Sequence, residues 1–344
     1  MGSVVTLSGM IRPPYLTKGD TIALVAPSFG CTTEPYSTRL DVAIKKIKNK
    51  GFKIIEGLNI RLEEGVAASN TAELRALEIM DALESEAKLL LSVGGGELMN
   101  EILPYLDFKA IKKMKPKWFM GFSDNTNLTF LLTTKCGWMS IYGPCAPQFF
   151  QKQWRLSELD AYELLLGKTH FEGYPKYSIS RRNEKPLVSY WCTQPKIITP
   201  INYEEPMEGV LLGGCIDVLQ LFVGTPYDDV AKFNKEHPEG VIWYLEACDL
   251  NPLALRRAYF QLLQAGWFDN ANGFILGRPK NAMYELLGVD RFNATLDILG
   301  PLGKPILMDA DLGHIPPSLP IINGAKARVA FEKENIIIDY LDVK

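Results

Sequence analysis

The chain has 344 residues, 47% of them hydrophobic and 22% charged, enough to bury a large core and, at this length, to form two domains. Its 37 basic and 40 acidic residues leave a net charge of −3, so there is no electrostatic footprint for nucleic acid. No apolar run approaches the ~20 residues of a membrane span, and no charged start precedes an apolar core, so neither a membrane partner nor a secretory signal is expected.

The first half alternates strand and helix. Strands are expected over 21–26, 52–56, 88–93 and 118–122, and helices over 36–50, 71–84 and 125–135. This is the pattern of a doubly wound parallel sheet of the flavodoxin or Rossmann kind, an α/β fold. Gly94-Gly95-Gly96 ends the third strand, but Met99 stands where a dinucleotide fingerprint needs its last glycine, so no cofactor is expected. Gly121-Phe122-Ser123-Asp124 ends the fourth. A serine on a sharp strand-to-helix turn has its hydroxyl held out of the sheet, and the first amides of the next helix point at whatever reacts there. Asn125 replaces the last glycine of the familiar Gly-x-Ser-x-Gly elbow, and Asn best tolerates left-handed backbone after Gly. The same tetrapeptide also suits a bland role, with Ser123 or Asp124 capping the helix.

Residues 150–205 read as an irregular stretch containing Pro, Tyr and Trp, and the domain boundary is placed within it. The expected organisation is an N-terminal domain over 1–165, a linker and substrate loop over 166–205, and a C-terminal mixed α/β domain with a small β-rich core over 206–344. Helices are expected near 214–222 and 252–265. Glu246 ends an apolar strand over 240–246, where the acids of α/β active sites gather. Asp249 is a rival, although Asp-Leu-Asn-Pro also reads as the start of a helix.

A serine nucleophile needs a base, and the chain offers three histidines. His170 and His237 lie in polar, turn-rich stretches that suit solvated loops. His314 follows the apolar run 305–308 and is flanked by Gly313 and by prolines that stiffen its loop. Its alternative role is a hydrogen-bonded histidine in a rigid turn. Ser123, Glu246 and His314 then make a nucleophile, an orienting carboxylate and a base for acyl transfer, split across the domain boundary at a cleft. The cysteines at 31, 136, 145, 192, 215 and 248 form no Cys-x-x-Cys pair, which excludes a zinc motif or a disulfide framework and suits a reducing cytoplasm.

Several segments taken together resemble one family: Lys18 to Ser28, Gly95-Gly96, Asn100 to Asp107, Gly121 to Asp124, Gly209 to Gly214, Gly224-Thr225-Pro226, Leu245-Glu246 and Gly313-His314. They are similar to the serine-type LD-carboxypeptidases, a group that includes muramoyltetrapeptide carboxypeptidases and microcin-C immunity hydrolases. The resemblance implies Ser123 as nucleophile, His314 as general base and acid, and Glu246 as the orienting carboxylate. It also implies an oxyanion hole from the backbone amides of Gly96 and Asp124, and a homodimer; from the cysteine spacing, no metal is expected. The implied substrate is a murein tetrapeptide that loses a terminal D-alanine, or a peptidyl- or aminoacyl-nucleotide. Gly95, Trp191 and Cys215 are the candidate substrate contacts, with Tyr190-Trp191 either stacking on a purine or packing beneath its loop. Two positions depart from the family pattern, since Cys215-Ile216 replaces Asn-Leu and Glu97-Leu98 replaces a small polar pair. The competing function is a ligand-binding protein of the same fold that is catalytically silent.

Overall fold

Leu89–Ser92 and Trp118–Gly121 are buried along their whole length, as unbroken apolar runs are when helices cover both faces of a parallel sheet. In the computed structural model, which describes residues 2–6, 8–154, 156–179 and 186–343, they are central strands of a six-stranded sheet. Contacts divide the chain into two compact units. The first holds Met1–Lys168, Ser180–Trp191 and Pro320–Ile322; the second holds Thr169–Ile179, Cys192–Leu319 and Asn323–Lys344.

In the first unit the strands lie in the order Lys53–Glu56, Thr21–Val25, Leu89–Ser92, Trp118–Gly121, Ser140–Tyr142, all parallel, with Ile321–Asn323 at the far edge. Counted along the chain, the five parallel strands run 2-1-3-4-5, the flavodoxin order. The winding reverses between Thr21–Val25 and Leu89–Ser92. Loops leaving the carboxyl ends of that pair cannot cover each other, which opens the crevice where such folds bind ligands. Ser28 follows one of these strands and Gly94-Gly95-Gly96 follows the other. Helix Ala72–Glu84 buttresses the first loop from its buried face. Glu78 accepts from the amides of Ala26 at 2.6 Å and Asn59 at 2.7 Å, and Arg75 donates to Pro27 O at 3.0 Å. Thr71 caps this helix by accepting from Leu74 N.

The second unit is built on an eight-stranded mixed sheet. Its centre is four parallel strands, Met207–Cys215, Val241–Glu246, Ala271–Gly277 and Ile306–Ala310. Lys326–Glu332, Asn335–Tyr340 and His170–Glu172 extend one edge antiparallel, and Thr199–Ile201 closes the other. The stretch 150–205 is therefore more regular than its sequence suggests. It contains helix Ser157–Leu165, whose first turn carries Glu158 and Asp160, and the edge strand His170–Glu172. That strand takes its form from pairing with Asn335–Tyr340, far away in sequence.

His237 is also placed differently from its expected solvated loop. It ends helix Val230–Glu236, is 3% exposed, and its ring lies 4.2 Å from that of Phe233. Asn270 Nδ2 donates to its carbonyl at 2.7 Å, so the turn around it is anchored inward. His170 sits on the edge strand, with Nδ1 2.7 Å from Asp339.

A buried ion pair holds the loop after Ile306–Ala310. Arg278 donates to Asp309 O at 2.8 Å and to Asp311 Oδ1 at 2.6 Å, and Asp311 Oδ2 accepts from Tyr174 N at 2.7 Å. Burial pushes the Asp311 carboxyl above its ordinary value, and Arg278 opposes that rise. Replacing Arg278 with Leu leaves the buried Asp311 with only the more distant Lys196 Nζ at 3.9 Å for a counter-charge, with an expected cost of up to about 3–5 kcal/mol at neutral pH. A carboxyl that holds its proton more tightly folded than unfolded destabilises the fold increasingly as pH rises through its native pKa. The Arg278→Leu deficit in denaturant unfolding should therefore shrink as the pH is lowered; a deficit that does not change with pH would show that lost packing, not charge, dominates.

Candidate functional site

Strand Trp118–Gly121 ends at Phe122, which is extended, and Ser123 then turns left-handed at φ 64. A short 3-10 turn, Ser123–Asn125, leads into helix Thr126–Cys136. Left-handed backbone costs a residue with a Cβ roughly 1–2 kcal/mol, so such a turn persists only where its surroundings hold it. Tyr142 Oη accepts from Ser123 N at 3.0 Å, and Thr126 Oγ1 donates to Ser123 O at 2.7 Å. Asn125 Nδ2 donates to Gly94 O at 2.9 Å and to Phe122 O at 3.0 Å, which ties the serine turn to the glycine loop. Two glycines make the room: a Cβ on Gly121 would lie 2.6 Å from Asn125 Cγ, and one on Gly95 would lie 3.1 Å from Ser123 Cβ. The bland capping role is not what the turn displays, because neither the 3-10 turn nor the helix carries a side-chain cap.

The amides on either side of Asp124 are engaged, Ser123 N by Tyr142 and Asn125 N by Phe122 O. The Asp124 carboxylate is buried at 3% exposure. Gly96 lies in the facing loop, where a Cβ would meet Ser28 Oγ at 2.1 Å.

In the second unit, Glu246 is the last residue of Val241–Glu246 and is 2% exposed. Its Oε2 lies 2.8 Å from Nδ1 of His314, whose side chain is 12% exposed. Burial works against a charged imidazole, but the Glu246 carboxylate and the neighbouring Cys248 favour it, and the balance holds His314 above its ordinary pKa. The pair is close because two residues lack side chains. Gly313, at φ 95, would place a Cβ 2.3 Å from Glu246 Oε2, and Gly277 would place one 3.0 Å from Glu246 Cβ. Gly313 N is held by Ser318 Oγ at 2.9 Å.

Asp217, which sequence reasoning passed over, organises the loop behind this pair. Its carboxylate accepts from the amides of Cys248 at 3.0 Å, Asp249 at 2.9 Å and Leu250 at 3.2 Å. It also lies 3.3 Å from the thiol of Cys215. Cys215 is buried, which pushes its thiol pKa well up, with Glu246 and Asp217 adding to the rise. Asp249, the rival of Glu246, is held by its amide, and Asn251 is the residue that caps helix Pro252–Gln264. Tyr142 and Ser28 were likewise missed. The only local signal for each is a polar group at the carboxyl end of a parallel strand.

Trp191 is 60% exposed. Its loop is anchored within its own unit by Arg39, which donates to Pro186 O at 2.6 Å and Val188 O at 3.0 Å. All six cysteines are free. Among the described residues no group of three or more His, Cys, Asp or Glu side chains is arranged to hold a metal ion, and no helix is long and apolar enough to cross a membrane.

Comparison with known proteins gives consistent matches over both units. The family model described as the LD-carboxypeptidase N-terminal domain matches residues 22–143, and that described as the C-terminal domain matches residues 208–329. A probable murein peptide carboxypeptidase of Bacillus subtilis is 24% identical, with 95% of this chain and 94% of that protein covered. The microcin C7 self-immunity protein MccF of Escherichia coli is 24% identical, with 94% of each covered. A solved structure of MccF in complex with aspartyl sulfamoyl adenosine is 22% identical, covers 96% of this chain and 98% of that one, and has a TM-score of 0.80, which establishes the same fold. The matched segments include the serine turn in the first domain and the Glu246–His314 pair in the second, and the chain belongs to the LD-carboxypeptidase family of amide hydrolases.

Proposed function

We propose that the chain hydrolyses an amide bond through an acyl-enzyme, with Ser123 as nucleophile, His314 as general base and acid, and Glu246 as the carboxylate that orients the imidazole. The observation that carries this reading is the buried 2.8 Å contact between Glu246 Oε2 and His314 Nδ1. A carboxylate on Nδ1 leaves Nε2 as the working nitrogen and stabilises the charge that the ring takes up when it accepts the serine proton. The left-handed turn at Ser123 supports the nucleophile's part. The hydroxyl attacks the carbonyl, the tetrahedral oxyanion is held by the amides of Asp124 and Gly96, and His314 passes the proton to the leaving amine. Water then repeats the sequence on the acyl-enzyme. Each amide donor in such a hole is worth about 2.7–4 kcal/mol. A homodimer working in the reducing cytoplasm is part of the same proposal, and the six free cysteines are consistent with that compartment.

Two substrates suit this chemistry: a murein peptide that releases a terminal D-alanine, and an aminoacyl- or peptidyl-nucleotide. A specific observation favours considering the second. Trp191 presents an exposed indole from an anchored loop, and a flat aromatic face is what a purine stacks on.

Replacing Ser123 with Ala should leave a folded protein whose turnover falls by about 10⁴-fold or more on the substrate it accepts, read by mass spectrometry of the released amine. Unchanged turnover would remove Ser123 from the mechanism. The pH profile tests the pair. His314 must be neutral to accept a proton, and its pKa is raised above the ordinary 6.5, so kcat/KM should rise with pH through a limb above 6.5. In Glu246→Gln the limb should move down while the plateau falls by about 10⁴-fold; a limb that stays in place would mean that Glu246 does not set the titration. For the substrate, Trp191→Ala should raise KM for an aminoacyl-sulfamoyl adenosine by about 5- to 100-fold, the worth of one stacked base, and leave a murein tetrapeptide unaffected. Equal loss on both would make the tryptophan a general wall of the site.

A further inference from the structure

The Asp124 side chain has no part in the mechanism above, which uses only its amide. Yet it is the centre of a buried hub that joins three segments of the first unit. Its Oδ2 accepts from Ser28 Oγ at 2.5 Å and from Met99 N at 2.9 Å, and its Oδ1 accepts from Asn127 Nδ2 at 3.0 Å. Ser28 belongs to the loop after Thr21–Val25, Met99 begins the short helix that follows the glycine loop, and Asn127 lies in the first turn after the serine.

Arg75 grips the neighbours of the same two loop residues with the opposite polarity. It is 1% exposed, and its Nη1 donates to Pro27 O at 3.0 Å and to Leu98 O at 3.1 Å. Burial pushes the Asp124 carboxyl up to about 6, against the pull of the Ser28 hydroxyl and the Met99 amide; Glu97 adds to the rise and Arg75 opposes it. Three donors meet its two oxygens, which is the pattern of a carboxylate. A buried charge costs stability unless each lone pair finds a donor, and here three donors from three segments converge on it.

The position of Gly96 follows from this hub. A Cβ on Gly96 would sit 2.1 Å from Ser28 Oγ, so the glycine backbone rests directly on the hydroxyl that Asp124 holds. On its other side, the same loop is tied through Met99 N to the same carboxylate oxygen.

We propose that the Asp124 carboxylate is a positioning residue for amide hydrolysis: by clamping Ser28 and Met99 it sets the Gly96 amide against the Ser123 turn, so that both oxyanion donors face one point. The inference rests on the Ser123 reading of the preceding section. A donor misplaced by about 1 Å forfeits up to about 100-fold in rate.

The test compares wild type, Asp124→Asn, Ser28→Ala, the double variant and Ser123→Ala. The substrate is whichever of the murein tetrapeptide and the aminoacyl-sulfamoyl adenosine the wild type hydrolyses, and kcat and KM are measured separately. Asn keeps an oxygen for Ser28 and Met99 but puts an amide where the carboxylate faced Asn127, whose Nδ2 also donates to Asp124 O at 2.9 Å and whose Oδ1 is buried without a partner. Accepting the new amide costs Asn127 its bond to Asp124 O, so thermal unfolding is measured for every variant, and Ser28→Ala, which leaves Asn127 untouched, carries the test if Asp124→Asn is destabilised. Asp124→Asn is expected to lower kcat by about 10- to 100-fold with KM within about twofold. Ser28→Ala should act in the same direction, and the double variant should lose no more than the worse single one, because both break one clamp. Affinity for a peptide aldehyde, whose adduct with the serine carries the oxyanion, should fall by the same factor as kcat. Wild-type kcat in both single variants would overturn the proposal, as would a loss confined to KM or to thermal stability. Full activity in Ser123→Ala would overturn the underlying mechanism instead, whatever the Asp124 variants do.

Discussion

The left-handed backbone at Ser123 is the constraint around which the first unit is arranged. A serine in that conformation is strained by itself, and the sequence supplies both the space and the restraints that keep it there. Gly121 and Gly95 give up side chains on either side of the turn, while Tyr142, Thr126 and Asn125 fasten its amide, its carbonyl and its neighbours. These partners come from three parallel strand ends and one helix start, which are adjacent because the winding of the sheet brings them to one edge. Asn125 shows how the usual glycine elbow has been replaced. Its side-chain amide bridges Gly94 O and Phe122 O, so this position carries a tether between two loops, and Gly121 supplies the room that the tether needs.

The second unit solves a different problem, which is to hold a carboxylate and an imidazole in contact away from water. Glu246 reaches its place as the end of a fully buried strand, and His314 reaches it through a loop whose start is pinned by the Arg278–Asp311 pair. Asp217 then fixes the segment after Glu246 by accepting three consecutive amides. Cys215 fits this picture as a small buried group whose thiol lies 3.3 Å from the Asp217 carboxylate.

Much of this was legible in the sequence because it depends on local pattern. Continuous apolar runs marked the parallel strands, and the turn chemistry of Gly121 to Asp124 marked the serine. His314 and Glu246 lie 68 residues apart in sequence, and each was singled out by its own strand-end context before the fold was seen to place them 2.8 Å apart. The features that escaped notice have no local pattern. Helix Ser157–Leu165 lies in a stretch whose prolines and aromatics suggested irregular backbone, and Ile321–Asn323 joins the first sheet only through tertiary pairing. His237 looked solvated because its neighbours are polar, whereas its burial is decided by Phe233 one helical turn earlier. Ser28, Tyr142 and Asp217 matter through contacts with residues 19 to 96 positions away, which no window of sequence shows.

Two buried carboxylates at the ends of parallel strands thus take different parts, and their partners decide which. Glu246 meets a titratable ring, so its charge is passed on as a raised basicity of His314, a property that changes as a proton moves. Asp124 meets a hydroxyl, a backbone amide and a side-chain amide, none of which titrates in the working range, so its charge is converted into fixed geometry. The distinction also explains their neighbours. Around Glu246 the glycines at 277 and 313 clear space for an ionisable partner to approach, whereas around Asp124 the partners are donors that do not titrate and the Arg75 guanidinium offsets part of the charge from behind them. The proposed hydrolysis needs both a base whose affinity for a proton can change and an oxyanion site whose donors do not move, and it draws on a buried carboxylate for each, a glutamate and an aspartate in opposite surroundings.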